Sequence, residues 1–89
     1  MSSSANWRLR VRDKVYKEIA RFPERDGDRI LKAIESLPFN PYVGDIEKMK
    51  GEINAWRRRM GNYRIFYEII PDDGAIYVFR AERRTSKTY

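Results

Sequence analysis

The sequence contains no cysteine and no histidine. Without cysteine there are no disulfides, no thiolate nucleophile and no thiolate-bound zinc. Without histidine, the side chain that most often moves protons or binds metals near neutral pH is missing too. Any hydrolytic or transfer chemistry must run on Lys, Arg, Tyr, Ser, Asp or Glu, and neither a metal site nor a cofactor is expected. No apolar run approaches the roughly 20 residues that span a bilayer. Met1-Ser2-Ser3-Ser4 lacks the basic-then-apolar pattern of a secretory signal. The expectation is a cytoplasmic protein with no membrane association.

What is abundant is positive charge: 19 Lys and Arg stand against 13 Asp and Glu, a net charge of +6. In so small a chain that excess favours a polyanionic partner, such as nucleic acid, an acidic protein or an anionic surface. Eighty-nine residues make one domain near the lower size limit for an independent core. Four Phe, six Tyr and two Trp supply the apolar area that core needs. Residues 1–89 are therefore expected to form one unit, with 1–5 as a short flexible lead.

Between Asn6 and Arg12 the residues alternate, with Trp7, Leu9 and Val11 on one side and Arg8, Arg10 and Arg12 on the other. A period of two predicts a half-buried strand. Asp13 is placed to cap a helix whose stripe is Val15, Tyr16, Ile19 and Ala20, stopped by Pro23. A second helix, beginning between Glu24 and Asp28, carries Ile30, Leu31, Ala33, Ile34 and Leu37 on one stripe and ends before Pro38. Residues 38–46 are expected to be loop, and Glu47 to Lys50 a short strand closed by Gly51. Three long strands follow: Ala55 to Met60, Tyr63 to Ile70, and Ala75 to about Arg83. They are joined by Gly61-Asn62 and by Pro71-Asp72-Asp73-Gly74. The fold class is α+β in the order β-α-α-β-β-β-β, with a helical hairpin packed on one face of a mainly antiparallel sheet.

A two-residue loop at Gly61-Asn62 sets Arg59 opposite Arg64 and Arg57 opposite Phe66. Arg57, Arg59, Arg64, Phe66 and Glu68 then share one face, and Trp56, Tyr63, Ile65, Tyr67 and Ile69 the core face. Continued alternation puts Tyr77, Phe79 and Arg83 on the arginine face. Guanidinium groups so close repel one another unless an anion sits among them. Glu68 and water are the alternative relief, and neighbouring aromatics favour nucleic acid as that anion.

The run Trp56-Arg57-Arg58-Arg59-Met60-Gly61-Asn62-Tyr63-Arg64-Ile65-Phe66-Tyr67-Glu68 resembles the R-x-R-x-G-x-Y-R-x-x-Y-E signature of the RelE/ParE toxin superfamily. Leu37-Pro38-Phe39-Asn40-Pro41 is similar to that family's L-x-x-N-P segment, and Lys48-Met49-Lys50-Gly51 to its K-L-K-G segment. The end, Arg83-Arg84-Thr85-Ser86-Lys87-Thr88-Tyr89, resembles its terminal arginine-to-tyrosine element. The four motifs occur in order along nearly the whole chain. There are departures: lysine stands at the Arg57 and Arg59 positions in RelE, an apolar residue usually stands at Arg58, and the histidine often found before the late arginine is missing.

The resemblance implies the toxin of a toxin–antitoxin pair, cleaving messenger RNA on the ribosome and silenced by a small acidic antitoxin in a hetero-oligomer. Carried over residue by residue, the catalytic set is Arg57, Arg59, Arg64, Arg83 and Tyr89, with Arg84 a rival for the late-arginine role. Lys48, Lys50, Arg84 and Phe66 are the expected RNA-binding residues. The matching chemistry is attack of a 2′-hydroxyl on the adjacent phosphorus, leaving a 2′,3′-cyclic phosphate and a 5′-hydroxyl. Arginine forks stabilise the phosphorane, and Tyr89 takes the 2′ proton once neighbouring cations favour its phenolate. Two other readings remain: a ParE-like toxin that inhibits DNA gyrase without cutting nucleic acid, and an RNA-binding domain without catalysis.

Overall fold

A computed structural model describes residues 7–84 of the chain. The elements are β1 (Arg8–Val11), α1 (Asp13–Ile19), α2 (Glu24–Ser36), β2 (Asp45–Lys48), β3 (Ala55–Met60), β4 (Tyr63–Ile70) and β5 (Ala75–Arg83), with a 3-10 turn over Pro71–Asp73. The expected α+β class and element order are those of the structure. The sheet order is β1-β5-β4-β3-β2, with β1 parallel to β5 and every other neighbour antiparallel. No helix among the described residues is long and apolar enough to cross a membrane.

Both helices lie on one face. Val15, Ile19, Ile30, Ile34 and Leu37 pack on Tyr63, Ile65, Tyr67, Ile69, Ile76 and Val78, all buried. These are the stripe and strand positions that periodicity selected. Among the described residues the opposite face carries no helix.

Local chemistry moved some boundaries. Asp13 is the first helical residue, not the cap; Arg12 holds the cap position without a side-chain bond. The carboxylate still sits in the first turn, where the helix dipole favours it. β2 lies two residues earlier than expected: it begins where Asp45 pairs with Arg59 and ends at Lys48, before the Met49–Glu52 turn in which the Glu52 N–H donates to the Met49 carbonyl. Arg58, which alternation sends to the helix side, is half-buried there, opposite Ile65 and Ile46. Gly44 makes room for it. A Cβ at Gly44 would stand 2.7 Å from Arg58 Nε, and its φ of +96° disfavours any side chain. Gly44→Ala is expected to cost roughly 1–3 kcal/mol, read as a lowered midpoint in urea unfolding.

Tyr67 is fully buried and donates its hydroxyl to the Pro41 carbonyl at 2.9 Å. Burial pushes its pKa up to about 12, with nearby Arg58 opposing the rise. A phenol with a raised folded pKa contributes stability that is complete below its unfolded value near 10 and is lost as pH climbs toward 12. Stability is therefore expected to fall by roughly 2–3 kcal/mol at most across that interval. Comparing denaturation midpoints with pH for the wild type and Tyr67→Phe checks this, since the variant loses that part of the decline.

The β4–β5 ladder contains the main departure from simple alternation. Ile70 pairs with Ala75 and Tyr67 with Val78 as expected, but Phe66 pairs with Arg80, so Phe79 is an extra residue on β5. Strict alternation would have driven Arg80 and Glu82 under the helices. The bulge instead buries Ala81, 2% exposed, and returns both charged residues to the open face. The Ala81 N–H, beyond the end of β1, donates to a Glu18 carboxylate oxygen at 3.1 Å.

Candidate nucleic-acid interface

The β3–β4 hairpin is built on a tight loop. Gly61 has a φ of +58° while Asn62 is not left-handed, the pattern of a type II′ turn with glycine first. That loop fixes the expected register, with Arg59 opposite Arg64 and Arg57 opposite Phe66. On the far side of β3, Glu47 stands opposite Arg57 and Asp45 opposite Arg59. Arg57, Arg59, Arg64, Asp45 and Glu47 line one small cleft of about 80 Å³ on the open face.

Every arginine there has a carboxylate partner. Arg57 pairs with Glu47, Arg59 with Asp45 at 3.0 Å, and Arg64 with Glu82 at 3.6 Å. Arg80 shares Glu82 at 2.7 Å. The mutual repulsion of the guanidiniums is thus relieved by Asp45, Glu47 and Glu82, where sequence alone pointed to Glu68 and water. The exposed pairs of Arg57 and Arg59 are worth about 0–1 kcal/mol each, and the Arg64 pair is long, so a phosphate offering two oxygens to a planar fork competes with them.

The other expected site residues divide. Phe66 is on the arginine face but only 6% exposed, with the Arg80 guanidinium 5.3 Å from its ring centre. The expectation that Arg83 shares this face is overturned by the bulge. Arg83 pairs with Tyr63, and its guanidinium lies 5.8 Å from the Tyr63 ring centre on the helix-covered side. Tyr63 itself donates to Asp26 at 2.6 Å, and burial followed by that bond raises its pKa. The Arg84 N–H donates to the Asn62 carbonyl, bringing it beside the hairpin loop. Lys48 pairs with Trp56, which places it on the face away from the cleft. Lys50 is exposed in the turn after β2. Tyr89 lies outside the described residues.

Sequence reasoning missed Asp45, Glu47, Arg80 and Glu82. The last two carried a signal: charged residues at positions 80 and 82 cannot share a face with buried Ile76 and Val78. Asp45 and Glu47 carried one only if β2 was known to pair with β3 in this register.

Comparison with known proteins bears on what such a cleft is for. The RelE1 toxin of Methanocaldococcus jannaschii is 28% identical over 79 residues, covering 85% of this chain and 88% of that protein. Among solved structures, a chain of the RelB–RelE antitoxin–toxin complex of Methanococcus jannaschii matches with a TM-score of 0.69 at 28% identity, covering 83% of this chain and 88% of that one. The archaeal RelE–RelB complex of Pyrococcus horikoshii OT3 has a TM-score of 0.77 at 23% identity, covering 92% of this chain and 99% of that chain. The model of the ParE toxin of type II toxin–antitoxin systems matches residues 7–86, and with that match the chain belongs to the ParE toxin family, within the RelE/ParE superfamily.

Proposed function

We propose that the protein is a toxin that cleaves messenger RNA by attack of a 2′-hydroxyl on the adjacent phosphorus. The observation that carries this reading is the convergence of Arg57, Arg59 and Arg64, from two adjacent strands, on one open cleft. Their forks hold the non-bridging oxygens of the scissile phosphate and stabilise the charge that grows on them. The 2′ proton has two candidate acceptors. Tyr89 is one, and the Glu47 carboxylate, already in the cleft, is the other. Arg84, beside the hairpin loop, is the late arginine assigned to the leaving 5′-oxygen; Arg83 faces the helices. Lys50 guides neighbouring phosphates, with Lys48 reaching them only around the β2 edge. The cleft is small and open, so the substrate is held in line by something larger, for which the ribosome is the proposed platform.

The proposed partner is an acidic antitoxin. The net charge of +6 supports it, and so do the structural neighbours, several of which are toxin–antitoxin complexes. Incubating the protein with translating ribosomes and mapping RNA ends tests the activity. New 5′-hydroxyl ends that disappear with Arg57→Ala support it, and Glu47→Gln and Tyr89→Phe then identify the base. Two observations favour a second reading, a ParE-like toxin acting on DNA gyrase: the matching family model is that of ParE, and every cleft arginine is already paired within the chain. Intact RNA together with inhibited supercoiling by gyrase decides for it.

A further inference from the structure

On the open face, uncompensated positive charge lies away from the cleft. Arg10 pairs with Tyr77 across β1 and β5, and Arg12 follows just beyond the strand. Among the described residues neither is in an ion pair, whereas Arg57, Arg59, Arg64 and Arg80 all are. Between the two groups lie Tyr77 and Phe79, half-exposed, their rings near parallel at 29° and 6.4 Å apart. Alternation along β5 puts both rings on this face, and the bulge adds Arg80 beside them. A cleft of about 320 Å³ opens over this pair, lined by Arg12, Ala55, Glu68, Tyr77 and Phe79 among others. A second, of about 360 Å³, lies on the other side of Tyr77 and takes in Arg8 and Arg10.

We infer that this half of the sheet is a single-stranded RNA track: Tyr77 and Phe79 stack bases, and Arg10 and Arg12 bind phosphates remote from the scissile one. The inference rests on the proposed RNA substrate and extends it across the face. From β3 to β1 is three strand spacings, roughly 14 Å, so the track holds more than one nucleotide. Paired RNA would bury its base faces, and only an unpaired strand offers them to the aromatic rings. Glu52 and Glu68 line the same cleft. Carboxylates there repel phosphate but accept from the amino groups of bases, which keeps the backbone along the arginines and the bases over the rings. An acidic protein segment would satisfy Arg10 and Arg12 equally well but gains nothing specific from two parallel rings.

The test uses the full chain and a 2′-O-methyl RNA oligonucleotide, which cannot be cut by its own 2′-oxygens. Fluorescence anisotropy gives Kd over a series of salt concentrations. For the double variant Arg10→Ala/Arg12→Ala, the slope of log K against log salt is expected to shrink by about 1.4, two phosphates at about 0.7 each. Phe79→Leu keeps the apolar bulk and removes the stacking surface; it is expected to weaken binding at least about fivefold. Thermal melts establish that both variants are folded. An unchanged slope, with Phe79→Leu within twofold of wild type while Arg57→Ala binds less tightly, overturns the track and leaves the cleavage reading standing. No RNA binding by the wild type, or binding of an acidic peptide alone that depends on the same residues, overturns the track, while cleavage on translating ribosomes decides the other reading separately.

Discussion

Replacing Arg64 by alanine is expected to slow RNA cleavage by about a hundred- to a thousandfold, the usual consequence of removing one preorganised donor to a developing oxyanion. Arg64 is the most enclosed of the three cleft arginines, its side chain 23% exposed against 35% for Arg57 and 59% for Arg59. It is positioned before substrate arrives, with Glu82 on one side and Arg59 opposite across the hairpin. The fold has little stake in it, because Glu82 keeps Arg80 at 2.7 Å when Arg64 is gone. The stability change is therefore expected below about 1 kcal/mol. Single-turnover cleavage at saturating enzyme isolates the chemical step from binding. Arg64→Lys is expected to recover part of the loss, since an ammonium supplies charge without the two-pronged geometry. Arg83→Ala is the internal control: on the helix-covered face it is expected to leave the rate within about threefold, far less than an oxyanion donor is worth. Equal damage from Arg64→Ala and Arg83→Ala, with both proteins folded, would defeat the placement of the active cleft.

That contrast also marks where the sequence was legible. The hairpin register followed from one tight glycine-first loop, and three arginines fell on one face with no further information. The helices followed from stripes of which Val15, Ile19, Ile30, Ala33, Ile34 and Leu37 are buried. Tyr16 and Ala20, expected on the first stripe, are exposed because α1 meets the sheet along a narrower face. Legibility failed where a position depended on contacts remote in sequence. The bulge at Phe79 resolves a conflict between alternation and burial, and alternation alone carries Arg83 to the wrong face. The ion pairs of Asp45 and Glu47 depend on which strand becomes the neighbour of β3, and a four-residue edge strand carries too little pattern to say. Lys48 falls away from the cleft for the same reason. Arg58 broke the apolar pattern of its position, and its accommodation by Gly44 is a tertiary arrangement that no local propensity encodes. Motif resemblance found the arginines but not the carboxylates that hold them.

Those arginines stay where they are only if the sheet beneath them does, and Ile76 sits in the fully buried layer of that sheet. Its side chain is fully buried, on a strand flanked on both sides, with Leu9 across the parallel ladder and Ile69 across the antiparallel one. Ile76→Ala removes buried methyl groups at a point where two strand partners and the helix layer above cannot all collapse into the space. The expected cost is about 2–5 kcal/mol, against a total of about 5–15 kcal/mol for a domain of this kind. At about 4–8 °C per kcal/mol, a loss near 3 lowers Tm by roughly 12–24 °C. Ile53→Ala offers the matched comparison, because Ile53 is 81% exposed and the same truncation there is expected to be silent. Calorimetric melts of the two variants give the answer directly. A silent Ile76→Ala would mean that β5 does not pack under the helices, and the face assignments of Arg80, Glu82 and Arg83 would go with it.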